Sequence, residues 1–65
     1  EVEYMEKFIN KELDFIPETY KDGYLIGHTG NYLLIKTKGN IEDLHNTIKI
    51  IINSVEYPYC ISERI

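Results

Sequence analysis

The stretch from residue 21 to residue 38, KDGYLIGHTGNYLLIKTK, constrains the fold more than any other part of the sequence. Apolar and polar residues alternate in it, and a glycine-containing turn signal stands before the first arm (DG) and between the arms (TGN). Alternation with a period of two, interrupted by such a turn, is typical of a β-hairpin. The stretch therefore predicts two antiparallel strands joined by a tight turn.

The period of two also predicts which side chains share a face of this hairpin. The core-facing set is Leu25, Gly27, Thr29, Leu33, Ile35 and Thr37. The outward set is Tyr24, Ile26 and His28 in the first arm and Tyr32, Leu34, Lys36 and Lys38 in the second. The outward face of the second arm thus combines an aromatic ring with two ammonium groups, which suits a polyanion.

At 65 residues the chain is predicted to form one domain with a small core. A chain of this size buries only about 60% of the surface that it exposes when unfolded, so it has little room for a deep catalytic pocket. Its sequence contains no glycine-rich phosphate loop, nucleophile elbow, paired-carboxylate motif or metal-ligand cluster. We therefore expect no catalytic residue and no metal site in this chain, and an autonomous enzyme is the least favoured interpretation.

Cysteine usage and hydropathy predict the compartment. Cys60 is the single cysteine, so it cannot form an internal disulfide, and we expect it to be a small core residue. No apolar run approaches the roughly 20 residues of a membrane span, and no signal-peptide pattern is present. These features predict a cytoplasmic protein without a membrane partner. Because the sequence begins at Glu1 rather than at methionine, we also expect a piece of a longer polypeptide.

The charge balance is acidic but uneven. Eleven acids against seven bases give a net charge of -4, whereas a free-standing nucleic-acid binder is more often basic. Seven of the acids fall within the first 22 residues, while Lys36, Lys38 and Lys49 lie downstream. This asymmetry is compatible with a local positive patch on an acidic domain.

The remaining segments are predicted, in chain order, as a tether (1–10), a half-buried strand (11–18), a turn (20–23), a loop (39–47) and two further strands (48–57 and 59–65). Because Pro17 cannot donate a ladder hydrogen bond, the strand at 11–18 is expected either to be at an edge of the sheet or to end at Pro17. Within the loop, residues 41–44 are expected to form one helical turn with Asn40 as its N-cap. Asn10 and Asn46 are expected to have positive φ. Five short strands with almost no helix predict an all-β fold, a small antiparallel β-barrel over residues 11–65.

The segments FINKELDFIPE, KDGYLIGHTGNYLLIKTKG and EDLHNTIKIIINSVEYPYCISERI, in this order, resemble a TRAM domain. TRAM domains are small five-stranded, OB-like RNA-binding barrels at the end of several tRNA-modifying enzymes. GYLIGHT followed by NY and KTKG is similar to the carboxy-terminal TRAM domain of radical-SAM methylthiotransferases. His28, where siblings often have Arg, favours the subgroup that acts on threonylcarbamoyl-adenosine. The resemblance covers the chain from about Tyr4 to the end.

The resemblance implies an RNA-binding module that positions the anticodon arm of tRNA for 2-methylthio modification of the adenosine beside the anticodon. The chemistry would belong to upstream radical-SAM domains of the same polypeptide, with iron–sulfur clusters and S-adenosylmethionine, and this fragment itself would carry no cofactor. The expected partners are therefore tRNA and the upstream domains, not DNA. The RNA-contacting residues would be Lys21, Lys36, Lys38 and Lys49 at phosphates and Tyr24, His28 and Tyr32 at bases or sugars, with Asn31 making the turn.

Each of these residues also has a purely structural interpretation. Tyr24 and Tyr32 are about equally suited to packing across the strand pair, and lysines on an outward face are commonly just solvated. His28 is by sequence alone an ordinary surface histidine, and Tyr57, Pro58 and Tyr59 are expected only to close the barrel. The alternative function is a protein-contact or structural lid module without RNA binding, in which the acids of the first strand matter.

Overall fold

Six strands form one curled, half-barrel sheet, which confirms the predicted all-β fold. The computed structural model describes residues 2–30 and 32–65. The elements are helix α1 (Val2–Glu6), strands β1 (Glu12–Phe15), β2 (Thr19–Lys21), β3 (Tyr24–His28) and β4 (Leu34–Lys38), a 3₁₀ helix (Ile41–Asp43), and strands β5 (Ile48–Glu56) and β6 (Tyr59–Arg64). No helix within the described ranges is long and apolar enough to cross a membrane.

The central hairpin is confirmed as β3 paired antiparallel with β4. All six residues assigned to its core face are buried. The entry turn has positive φ at Asp22 (54°) and Gly23 (87°), as a tight turn between twisted strands requires. The loop between the arms is held by Thr29, whose backbone N–H donates to the Leu33 carbonyl and whose hydroxyl accepts from the Leu33 N–H. Asn31, expected to make this turn, lies outside the described residues.

The prediction of five antiparallel strands is wrong in two respects. The strand order is β1-β5-β6-β4-β3-β2, and β4 pairs with β6 in parallel. The additional strand is β2, which pairs with β3 although residues 20–23 were expected to be a turn. Its three residues lie between Pro17 and the Asp22-Gly23 turn, so the run is too short to show an alternating pattern. Of the two alternatives predicted for the first strand, β1 is at an edge of the sheet, and it also ends at Phe15, before Pro17.

The core fills the concave side of the curled sheet. Branched residues with a period of two on β5 supply Ile48, Ile50 and Ile52, and these are 0–5% exposed. The remaining buried hydrophobic residues are Met5, Phe15, Leu25, Leu33, Ile35 and Cys60. The predicted core position of Cys60 is thus confirmed, because its side chain is completely inaccessible to solvent.

The described part of the amino-terminal segment packs on the sheet rather than extending from it. Met5 on α1 belongs to the core. The Tyr4 and Phe8 rings contact each other edge to face, with 5.3 Å between their centroids. Asn10 has φ of 70°, as predicted, and its N–H donates to the Ile52 carbonyl at 2.7 Å. The segment predicted as a tether thus contributes Met5, which is 5% exposed, to the core. A connection of this segment to an upstream domain stays a prediction.

The loop after β4 contains the predicted helical turn, which begins after Asn40 as its N-cap. The Asn40 N–H donates to Asp43 Oδ2 at 3.2 Å, which helps to hold the turn. The prediction of positive φ at Asn46 is wrong, because the left-handed residue is His45, with φ of 68°. This conformation accompanies a hydrogen bond from the His45 N–H to the carbonyl of Pro17 at 3.0 Å.

The two edge strands, β1 and β2, are joined by only three residues, 16–18, which we call the connector. The connector crosses directly over β3, because a Cβ on Gly27 would meet the carbonyl oxygen of Ile16 at 2.6 Å and the Cα of Pro17 at 3.0 Å. Hydrogen bonds fix it on both sides: the Glu18 N–H donates to Ile26, and the carbonyl of Pro17 accepts from His45. This crossing brings the two edges of the sheet together.

Candidate nucleic-acid interface

Tyr24 is the centre of a group of lysines on the outer face of the sheet. Its Cα partner on β2 is Lys21, and its partner on β4 is Lys38, so the three residues form one row across three strands. Neighbours in such a row extend their side chains on the same face of a sheet. The sequence predicted all three as RNA-contacting residues, and the structure brings them together. With Lys36 and Tyr59 they form what we call the lysine face.

Lys36 lies between two aromatic rings. Its Nζ is 4.8 Å from the centroid of the Tyr24 ring and 5.2 Å from that of the Tyr59 ring. An ammonium group within about 6 Å of a ring centroid is attracted by the negative face of the ring, by about 0.5–1 kcal/mol at an exposed site. Two rings therefore hold a flexible lysine side chain in a defined direction.

This arrangement changes the role expected of Tyr24. The sequence predicted either stacking on a base or packing across the strand pair, whereas in the structure the ring of Tyr24 is half-buried and contacts the ammonium of Lys36. A base that stacked on this side of the ring would have to displace Lys36. Tyr24 is therefore better suited to position a cation than to stack on a base.

Tyr59, which was expected from the sequence only to close the barrel, belongs to the lysine face. Tyr59 starts β6, and β6 lies beside β4 through the parallel pairing of Ile35 with Cys60 and Lys36 with Ile61. No local pattern indicates this neighbourhood, because the pairing joins two strands that are far apart in the chain. The signal available in the sequence was the presence of aromatic residues at the start of the last strand.

The three lysines of this face, Lys21, Lys36 and Lys38, take no part in the ion pairs of the described residues. A shallow pocket of about 290 Å³ is lined by Lys21, Lys36 and both tyrosines, together with Asp22 and Ile26. A second depression of about 340 Å³ lies on the other side of Tyr24 and contains Lys38. The lysine face thus presents three unpaired positive charges around one ring.

Two of the acidic residues near this face, Asp43 and Glu63, accept hydrogen bonds from side chains outside it. Arg64, which lines the second depression, donates to Asp43 Oδ2 at 2.8 Å, and Glu63 accepts a hydrogen bond from the Asn53 amide at 3.2 Å. The carboxylate of Asp22 is the acid that shares the first pocket with the lysines. Glu56, the Cα partner of Tyr59 on β5, is a further carboxylate beside this face, so the three lysines form a local cluster of positive charge with acids around it.

Two other predicted RNA contacts, His28 and Tyr32, lie at the opposite end of the hairpin. His28 is four residues from Tyr24 along β3, or about 14 Å at about 3.4 Å per residue. Its Nδ1 is 3.7 Å from Glu18 Oε1. Tyr32 is 88% exposed and has φ of 65°, a left-handed conformation that is uncommon for a bulky residue. These two residues are thus separated from the lysine face.

Lys49 is also separate from the lysine face. It is on β5, with β6 between it and β4, and its Cα partner on β1 is Asp14. An acidic residue directly across the strand pair reduces the local positive potential. Lys49 is therefore the natural comparison residue for Lys36, since both are lysines on the same sheet and only one lies beside other lysines.

A separate groove runs where the connector meets the loops, and we call it the seam groove. It has a volume of about 760 Å³. Its lining residues are Asp14, Phe15, Ile16, Glu18, His28, Thr29, Gly30, Tyr32 and Thr47. This groove was not predicted from the sequence, because its walls come from three separate parts of the chain.

The chain's own residues do not fit an iron–sulfur cluster, which requires several cysteine ligands. Cys60 is the single cysteine and is completely buried, and burial raises the pKa of its thiol, which favours the protonated form over the metal-binding thiolate. Among residues 2–30 and 32–65, no three His, Cys, Asp or Glu side chains come together as ligands for a metal ion.

No protein-family model matches this chain, and no curated protein is significantly similar to it. The resemblance to TRAM domains therefore stays an expectation from the motifs. The structural basis for a proposed function is the geometry of the lysine face and of the seam groove.

Proposed function

We propose that the chain is an RNA-binding module and that the lysine face is its contact surface. The observation that carries the proposal is the position of Lys36 between Tyr24 and Tyr59, beside Lys21 and Lys38. Lysine ammonium groups neutralise phosphates and release the counterions bound to them, which is the main source of affinity for many RNA-binding surfaces. In this proposal the lysines contact phosphates, and the two tyrosines orient Lys36.

Pre-positioning of Lys36 supports this role. A free lysine side chain loses rotamer freedom when it is fixed at a ligand, at a cost of about 0.5–1.5 kcal/mol. The two rings limit the directions in which the Lys36 ammonium points before any ligand binds. Part of this rotamer freedom is therefore already lost when the chain folds, so less is lost on binding. The resulting gain in affinity compensates for the small number of lysines on this face.

The resemblance to TRAM domains supplies the more specific form of the proposal. The ligand would be the anticodon arm of a tRNA, presented to upstream radical-SAM domains for 2-methylthio modification of the adenosine beside the anticodon. Those domains would hold the iron–sulfur clusters and S-adenosylmethionine. His28, Asn31, Tyr32 and Lys49 would contact RNA only if the tRNA extends beyond the lysine face.

The test is a titration of the 65-residue chain with an anticodon stem-loop, followed by backbone amide NMR at several salt concentrations. We expect shifts at Tyr24, Lys36, Lys38 and Tyr59. Three phosphate contacts predict that log affinity falls with log salt with a slope near -2, at about -0.7 per contact. The absence of shifts at low salt and high RNA concentration would refute the proposal.

Matched variants separate this face from general electrostatics. Lys36→Gln should reduce the magnitude of the salt slope by about 0.7, because one phosphate contact is lost. Lys49→Gln removes the same charge from the same sheet and should leave the slope unchanged. Equal losses in both variants would mean that RNA responds only to net charge and would contradict a defined lysine face.

A further inference from the structure

The seam groove has exposed apolar walls. The side chain of Ile16 on the connector is 48% exposed, and the ring of Tyr32 on the hairpin loop is 88% exposed. The groove has more than twice the volume of either pocket on the lysine face. Its size falls within the range of about 300–1,000 Å³ that is typical of ligand-binding clefts.

The charge of the groove is opposite to that of the lysine face. Its lining includes the carboxylates of Asp14 and Glu18, and no lysine or arginine among the residues that the structure describes there. His28 is next to Glu18, and Lys49 faces Asp14 from the neighbouring strand. A phosphate in this groove would meet two carboxylates, whereas an ammonium or guanidinium group would be attracted by both.

Tyr32 holds its ring in the groove from an unfavourable backbone position. The N–H of Tyr32 donates to the Thr29 carbonyl, and Tyr32 then adopts φ of 65°. In a three-residue hairpin loop the corresponding left-handed position is typically glycine. A glycine at this position would relieve the backbone but would remove the exposed ring.

We propose that the seam groove binds a short basic segment of a partner protein, one that carries an arginine or lysine beside an apolar side chain. The apolar side chain packs between Ile16 and Tyr32, and the cationic group pairs with Asp14 and Glu18. This site is independent of the proposed RNA-binding function, because no residue of the lysine face lines the groove. It gives the protein-contact alternative a specific location, and it includes an acid of the first strand.

The probe is a synthetic peptide with alternating arginine and leucine, titrated into the 65-residue chain at low salt and followed by backbone amide NMR. The same peptide with glutamate in place of arginine is the charge control, and spermidine is the control for a cation without apolar side chains. We expect shifts at Ile16, Glu18 and Tyr32 with the arginine peptide and none with the glutamate peptide. Spermidine should bind about fivefold or more weakly, because it lacks the apolar contact.

Variants test the groove residue by residue. Asp14→Asn combined with Glu18→Gln should weaken peptide binding about fivefold, whereas Glu12→Gln, on the same strand but outside the groove, should not change it. Tyr32→Gly should also weaken binding without lowering the midpoint of urea unfolding, because glycine adopts this φ without strain. Lys36→Gln should leave peptide binding unchanged, which separates this result from the RNA test.

Several outcomes would overturn the proposal. Spermidine binding as tightly as the peptide, or equal effects of Glu12→Gln and of the Asp14 and Glu18 substitutions, would show only general attraction of cations. RNA-induced shifts at Ile16 and Tyr32 without any peptide-induced shifts would assign the groove to RNA. Concentration-dependent self-association that Lys36→Gln abolishes would show that the occupant is the lysine face of a second copy.

Discussion

The lysine face lies on strands that pair continuously, whereas the seam groove lies where pairing stops. Tyr24, Lys21 and Lys38 are held by the β2–β3–β4 ladder, so each side chain projects from a regular backbone. The groove instead depends on the connector, which crosses Gly27 and is held by backbone hydrogen bonds to Ile26 and His45. The first surface is therefore specified by side chains, and the second by backbone packing.

Because of this difference, substitutions at the two surfaces should have different effects on binding and on stability. Exchange of a surface side chain on the lysine face leaves the ladder intact, so it should change binding more than stability. A side-chain atom added beneath the connector would collide with its backbone and displace it. Such a substitution should therefore change both the free energy of unfolding and the shape of the groove. Gly27→Ala and Tyr59→Leu test this distinction directly, and two further experiments test the buried groups Thr37 and Cys60.

The largest effect is expected for Gly27→Ala. The new methyl group would lie 2.6 Å from the Ile16 carbonyl oxygen, so the connector would have to shift. We expect a loss of about 2–3 kcal/mol, a large part of the roughly 3–10 kcal/mol of a domain of this size. Urea denaturation measures it. Gly30→Ala is the control, because a Cβ there has nothing within 4 Å; equal losses would contradict the close crossing.

A stabilising effect is expected for Thr37→Val beneath the lysine face. Thr37 is 1% exposed, and its Oγ1 is buried without a hydrogen-bond partner in the described structure. Replacing the hydroxyl by a methyl group removes the cost of burying an unpaired polar atom, so the free energy of unfolding should rise by about 1 kcal/mol. Chemical denaturation measures the change, and the salt slope of RNA binding should stay the same.

The neighbouring hydroxyl supplies a control of opposite sign for Thr37. Ser62 is the Cα partner of Thr37 across β4 and β6, and its Oγ donates to the Cys60 carbonyl at 3.3 Å. Ser62→Ala should therefore lower stability by about 0.5 kcal/mol. Two changes in the same direction would mean that burial alone, and not hydrogen bonding, decides the outcome.

A smaller effect is expected for Tyr59→Leu. The substitution removes one of the two rings next to the Lys36 ammonium but removes no charge. RNA affinity should fall about two- to fivefold, and the salt slope should not change, since the phosphate contacts remain. Tyr57→Leu, an exposed tyrosine outside the lysine face, is the matched control. A reduced slope for Tyr59→Leu would show that the ring does more than orient Lys36.

The smallest effect is the pH dependence that Cys60 contributes. Burial raises the pKa of its thiol above the ordinary value of 9.0, so the unfolded chain loses this proton at a lower pH than the folded chain. The contribution of the buried, protonated thiol to the free energy of unfolding is therefore fully present below pH 9.0. It decreases as the pH rises toward the raised pKa of the folded state. Urea midpoints of the wild type and of Cys60→Ala should diverge in this range, while tyrosine ionisation affects both proteins. Parallel pH profiles would contradict burial of the thiol.

Much of the fold follows from local sequence. The period of two in β3 and β4 predicted both the strands and their buried faces, because one face of each strand must be apolar to form the core. The turn at Asp22-Gly23 and the left-handed Asn10 followed from the backbone preferences of these residues. The lysine face was partly foreseen for the same reason, since alternation placed Tyr24, Lys36 and Lys38 on the outer side.

The remainder depends on pairing between distant segments. Tyr59 reaches Lys36 only through the parallel pairing of β4 with β6, and a register between such strands leaves no local pattern. Similarly, the left-handed residue is His45 rather than Asn46, and its N–H donates to the Pro17 carbonyl of the connector, a contact between segments far apart in the chain. The seam groove could not be predicted, because each of its walls is unremarkable in its own segment.

The position of β1 determines the order in which the chain can fold. β1 is formed near the amino terminus, but its strand partner is β5, which is made only when most of the chain has been synthesised. Closing so long a loop is entropically costly, whereas the β2–β3–β4 meander can form from local contacts. During translation, the meander is therefore expected to form first. Phe15 stays unpaired until its Cα partner on β5, Ile48, has been synthesised. A ribosome that stalls before β5 would expose an incomplete core to proteases and chaperones.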